Sequence, residues 1–118
     1  MSKNWPERLA ELKGAVATLR AGHPEVMKTF GALSAAAIES GALDSRTKEL
    51  IALAVAVAAR CEGCIATHAE AALRHGASRA AVLEAMGVAV WMAAGPGVMY
   101  AAQALQAYDQ FAGEGTAA

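Results

Sequence analysis

Apolar positions recur along this chain with helical spacing almost throughout, and no segment alternates apolar and polar residues as a half-buried strand does. Leu9, Leu12, Val16 and Leu19 form one stripe. They predict a first helix from near Pro6, a residue suited to a first turn, to about Arg20, with Gly22 marking its end. Pro24 opens a second helix carrying Val26, Met27, Phe30 and Leu33, which closes around Ser40 and Gly41. Asp44 or Ser45 is a good N-cap for a third. That segment begins polar, with Arg46, Thr47, Lys48 and Glu49, and is almost wholly apolar from Leu50 to Ala59, the pattern of a helix buried on all sides. Glu49 therefore falls at the edge of a dry region.

Cys61 to Cys64 reads as a junction, with Gly63 permitting a tight bend. A fourth helix follows to Arg74 or His75 and stops at Gly76. Ser78 caps a fifth, running to about Ala94, and a sixth runs from about Val98 to Phe111. The expectation is an all-α fold of about six helices in one domain over 1–118. It comprises N-terminal helices over 1–42, a chemistry-bearing core over 43–77, C-terminal helices over 78–112 and a frayed tail over 113–118.

Composition sharpens this picture. The chain is 56% apolar but only 5% aromatic, so its apolar mass is mostly Ala, Val and Leu, which suits closely packed helices. So high an apolar fraction in 118 residues leaves more apolar surface than one core can take, which predicts a homo-oligomer. Met86, Trp91, Met92, Met99 and Tyr100 read as core or subunit interface. The net charge of −1, with no basic run, gives nucleic acid no electrostatic footprint. The N-terminus does not read as a signal peptide. Ala85 to Tyr108 is free of charge, but Gly95, Pro96 and Gly97 interrupt it, which favours two packed helices over one membrane span. The expected compartment is the cytoplasm, where two cysteines in one short motif point to catalysis or metal binding more than to a structural staple.

The candidate chemistry lies in Glu49, Cys61, Cys64 and His68. Two cysteines three apart on a helical turn bring their sulfurs within reach of a disulfide. Cys64 in the first turn of a helix would have backbone N–H groups and the positive helix end aimed at its sulfur, favouring thiolate. His68 lies one turn on, with Cβ atoms roughly 5–6 Å apart, placed to take the thiol proton directly or through a water. Spacing alone does not bring Glu49 to His68. If the two helices pack antiparallel across the bend, its carboxylate would orient the imidazole.

Other readings stand beside this one. The cysteines could be small buried hydrophobes. Zinc could be held by Cys61, Cys64, His68 and His75, although His75 lies about two turns, roughly 10 Å, beyond His68. A thioredoxin-type fold lacks its βαβ context here. His23 reads as an exposed loop residue, His75 as a cation complementing a helix C-terminus, and Glu70 and Glu84 as solvated. Arg60 and Glu62 flank the motif and would tune its local field.

The pattern Glu49-x11-Cys61-x2-Cys64-x3-His68, set in the run from Leu43 to Ala77, resembles the core domain of AhpD-like alkylhydroperoxidases, part of the carboxymuconolactone decarboxylase family. The resemblance implies an all-α bundle assembled into trimers or hexamers. It implies that Cys64 attacks a hydroperoxide as a thiolate, that Cys61 resolves the sulfenic acid as a disulfide, and that His68 and Glu49 relay the proton. The partners implied are a hydroperoxide or disulfide substrate and an external thiol reductant, with no cofactor beyond the Cys61–Cys64 pair. In the best-known members a His precedes the second Cys, where this chain has Gly63, and an aromatic often stands where it has Thr67. The competing family activity, lactone decarboxylation, needs carboxylate recognition and proton transfer at carbon and has no use for a cysteine pair.

Overall fold

The computed structural model describes residues 3–116, with side chains as far as Gly113, and is helical over nearly all of that length. In chain order the helices are α1 (Trp5–Gly22), α2 (Pro24–Ile38), α3 (Ser45–Ala58), α4 (Glu62–Arg74) and α5 (Arg79–Thr116). Short polar side chains begin three of them. Asn4 Oδ1 accepts from the Glu7 N–H at 3.1 Å, Asp44 Oδ1 from Thr47 at 2.7 Å and Ser78 Oγ from Ala81 at 3.1 Å. The bond from the Thr47 N–H holds the Asp44 carboxyl below the usual carboxylate value.

The long α5 is not straight. Ala94 adopts φ 56°, ψ −140°, a break in otherwise helical backbone. On either side of it lie two arms, 79–93 and 95–116. Arg79 Nε donates to Asp109 Oδ1 at 2.8 Å and its Nη2 to Oδ2 at 3.1 Å, across thirty residues that a straight helix would stretch over about 45 Å. The Tyr108 hydroxyl likewise donates to the Ala77 carbonyl at 2.6 Å. The arms therefore fold back on each other as a helical hairpin, so the six expected helices survive as five with one broken. Pro96 sits in the first turn of the second arm, where a missing N–H costs nothing. The arms meet closely there: a Cβ on Gly97 would lie 2.8 Å from Ala93 Cβ. Arg79–Gly113 is long and apolar enough to cross a membrane by length and composition, yet this break turns it into two antiparallel pieces. The second arm continues helically through Gly113 to Thr116, where a frayed tail was expected, because each added residue contributes one more backbone bond. Residues 117–118 lie outside the described residues.

Helices α3, α4 and α5 pack mutually, with α1 laid across α4 and α5. Leu53, Val57, Ile65 and Val82 are fully buried, and Ala56, Ala66, Ala69, Ala72, Ala89, Ala104 and Ala107 fill the spaces between the helices. Small side chains let the backbones approach, so a chain with few aromatics still builds a dense centre. The largest fully buried side chain, Trp5, ties the start of the chain to the second arm of α5. Its backbone N–H donates to Gln110 Oε1 at 2.7 Å and its indole N–H to Gln106 Oε1 at 2.9 Å.

Within the protomer helix α3 is covered on only part of its circumference: Ile51 and Val55 are exposed. Of the α1 stripe, Leu9 is buried, whereas Val16 and Leu19 are exposed.

Tyr108→Phe leaves the Ala77 carbonyl without its buried donor and should lower unfolding free energy by about 1–2 kcal/mol in urea titrations. Asp44→Ala should lower stability at neutral pH. Because the native carboxyl titrates below its unfolded value, the difference should be full above the ordinary carboxylate range and fade as pH falls through the native value.

Candidate functional site

Helix α3 ends in a Schellman turn. The Cys61 N–H bonds the Ala56 carbonyl at 3.1 Å and the Arg60 N–H bonds Val57 at 3.1 Å, with Arg60 at φ 57°. The reversal into α4 is thus made by Arg60, not by Gly63 as expected, because the left-handed residue must directly follow the C-cap. Gly63 is already two residues into α4, where an added Cβ would only touch Leu12 Cδ1 at 3.5 Å. The opposite end of α4 closes with the same motif built on Gly76, φ 88°, bonding Leu73 at 3.0 Å while Ala77 bonds Ala72 at 2.9 Å.

Between these turns α4 carries the candidate residues. Cys61 is its N-cap, and the Sγ accepts from the Cys64 N–H at 3.1 Å. The two cysteines are joined as a disulfide, with Cα atoms 5.2 Å apart, and both are half-buried. One turn on, His68 Nδ1 meets Glu49 Oε1 at 2.7 Å. Glu49 is 6% exposed, the one charged or polar residue among the buried ones described. Packing of α3 against α4 thus creates the contact that sequence spacing left open.

The second oxygen of Glu49 reaches further. Oε2 lies 4.0 Å from Nε2 of His75, the α4 C-cap, so one carboxylate stands between two imidazoles on one helix. A cavity of about 450 Å³ opens beside them. Lys48, Glu49, Thr67, His68, Arg74 and His75 supply its polar lining, and Ser34 and Ile38 of α2 lie on its wall. The cysteines do not line it. His75 was expected to complement a helix end, or in the zinc alternative to be a ligand; its signal was the seven-residue step from His68, two turns along one face. Lys48, beside Glu49 in sequence, gave no sign of facing the same space.

Of the residues in the zinc alternative, Cys61 caps the start of α4 and His75 its far end. Among the described residues no group of three or more His, Cys, Asp or Glu is arranged to hold a metal ion. His23 lines a separate hollow with Glu25, Val26, Thr29, Phe30 and Leu33. Met86 is buried, whereas Trp91, Met92 and Met99 face outward.

An all-helical fold with a dithiol motif at a helix start and a carboxylate–imidazole pair one turn inward defines a class. Comparison with known proteins agrees. A model of the carboxymuconolactone decarboxylase family matches residues 24–107. The crystal structure of an apo carboxymuconolactone decarboxylase family protein from Legionella pneumophila superposes with a TM-score of 0.90 at 43% identity, covering 93% of this chain and 98% of that one. A Thermotoga maritima structure aligns at 0.79 and 26% identity, covering 99% and 100%. An uncharacterized protein of Cupriavidus necator is 37% identical over 92% of this chain and 96% of its own length. One encoded in the cox locus of Paracoccus denitrificans is 43% identical over 81% and 86%. The chain belongs to the carboxymuconolactone decarboxylase family, and its helical core is of the AhpD-like type.

Arg60 holds a left-handed conformation that costs a side-chain-bearing residue about 1–2 kcal/mol. Arg60→Gly should therefore raise unfolding free energy by about 1 kcal/mol in chemical denaturation.

Proposed function

We propose that the protein is a thiol-dependent peroxidase or disulfide oxidoreductase working through Cys61 and Cys64. The observation that carries this reading is the bonded pair at the mouth of α4 with the His68–Glu49 link one turn inward. In the reduced protein His68, its Nδ1 side engaged by Glu49, accepts the Cys64 thiol proton on Nε2. The thiolate attacks the distal oxygen of a hydroperoxide; the O–O bond breaks, Cys64 becomes a sulfenic acid, and the alkoxide leaves with the proton as alcohol. The Cys61 thiol then attacks the Cys64 sulfur, the S–O bond breaks, water leaves and the disulfide closes. An external dithiol reduces it, ending as a disulfide itself. A cytosolic setting fits such cycling.

A second reading, proton transfer at carbon on a lactone carboxylate, draws on the cavity beside Glu49, His68 and His75, which the cysteines do not line. Mass spectrometry separates the two. A limiting peroxide pulse on the reduced chain should lower its mass by two hydrogens; Cys64→Ser should abolish turnover, and Cys61→Ser should leave a trappable sulfenic acid. Activity that survives alkylation of both thiols would select the lactone chemistry instead. His68→Ala should slow Cys64 alkylation at neutral pH, and an unchanged rate would remove it from the relay.

The working form we propose is a homo-oligomer. Helix α2 buries no residue, and Phe30, Leu33, Ile51, Val55, Met92 and Trp91 (80% exposed) face outward. The protomer exposes 7257 Å², against roughly 6,000 Å² for a monomer of its mass. Sedimentation should give a multiple of 12.0 kDa. Phe30→Glu with Trp91→Glu should shift the protein to single chains without loss of helix.

A further inference from the structure

The first turn of α4 has two anions competing for it when the protein is reduced. Glu62 occupies the first helical position, directly after Cys61 and two residues before Cys64. A carboxylate there is favoured by the unpaired amides and the positive helix end, and by the same electrostatics it opposes negative charge on the Cys64 sulfur. Glu62 is not left unbalanced. Lys3 Nζ lies 2.7 Å from its Oε1, and Arg8 Nε lies 3.8 Å from the same oxygen.

Both cations come from outside α4, and the rest of the fold determines where they sit. Lys3 precedes α1 and Arg8 lies early in it. The fully buried Trp5 between them is bonded to Gln106 and Gln110 on α5. Gln110 Nε2 also donates to the Lys3 carbonyl at 2.8 Å, and Lys3 Nζ lies 5.5 Å from the Trp5 ring centroid and donates to Gln103 Oε1 at 3.4 Å. The core anchor of the N-terminus therefore delivers two positive charges to the mouth of the dithiol helix. Glu7 and Glu11 share the hollow that Lys3, Arg8 and Glu62 line, with Glu11 Oε2 3.8 Å from Arg8 Nη1.

We propose that Lys3 and Arg8 are positioning residues for the Cys61–Cys64 pair: they neutralise Glu62 and leave the positive end of α4 to the Cys64 sulfur. The inference rests on the dithiol reading above. With Glu7 and Glu11 counted, the hollow holds two positive charges against three negative; Lys3 and Arg8 are its only cations among the described residues, and each charge removed changes thiolate reactivity in a direction set by its sign. The groups are partly exposed, so each step is modest, about two- to fivefold, and salt-dependent.

The test is the rate of Cys64 alkylation in the reduced full chain by iodoacetamide, a neutral reagent, at pH 7. Four proteins are compared: the native chain, Glu62→Gln, Lys3→Gln with Arg8→Gln, and the triple variant. At low ionic strength the expected order from fastest to slowest is Glu62→Gln, native, triple, Lys3→Gln/Arg8→Gln, the order of falling cluster charge. In 1 M salt, where the screening length is about 3 Å, the four rates should converge. Coincident rates at low salt would overturn the proposal, as would differences that persist at high salt, which would mark a packing effect. If the native Cys64 itself reacts no faster than free glutathione, the dithiol-activation reading fails instead.

Discussion

The buried carboxylate of Glu49 is the constraint around which the remaining structure is arranged. A carboxylate removed from water is costly unless it is paired, and the partner must be brought from another helix to hydrogen-bonding distance. His68 Nδ1 at 2.7 Å meets that demand only if α3 and α4 are held in one register. The Asp44 cap sets where α3 begins, the turn at Arg60 sets how the chain reverses, and alanines along both helices set how closely they approach. A slip of one residue in any of these would carry the imidazole around the helix by about 100° and leave the carboxylate buried alone.

The dithiol end of α4 depends on more distant parts of the chain. Trp5, bound by two glutamines of the second α5 arm, fixes α1 across α4, and that arm is itself positioned by the break at Ala94 and by the Arg79–Asp109 and Tyr108–Ala77 bonds. The segment from Lys3 to Arg8, held by that arm, thus lies beside the mouth of the helix that carries the cysteines. Helix α2 stands apart from this anchoring. It supplies one wall of the cavity beside Glu49, yet its outward apolar side has no cover within the protomer.

Much of the helical layout was legible in the residues. Pro24, Asp44, Ser78 and Gly76 mark ends that the structure keeps, because caps and stops act through bonds within a few residues. Gly95-Pro96-Gly97 announced the hairpin break, although the left-handed residue is Ala94. The bend before α4 was misplaced onto Gly63 because glycine is the usual occupant of a left-handed position, whereas here the register assigns that position to Arg60. The uniform apolar run of α3 reports how apolar each face is, not whether its cover comes from the same chain.

The sequence by itself determined the helices, their caps, and the one-face alignment of Cys61, Cys64 and His68, since all of these follow from bonds and spacings within a few turns. Only the tertiary structure decided that Glu49 meets His68, that His75 approaches the same carboxylate, and that Lys3 and Arg8 reach Glu62. Those contacts join residues from different segments of the chain, and their distances depend on how closely and at what angle whole helices pack. That quantity is set by the summed burial of many small side chains, and no single position along the chain carries it.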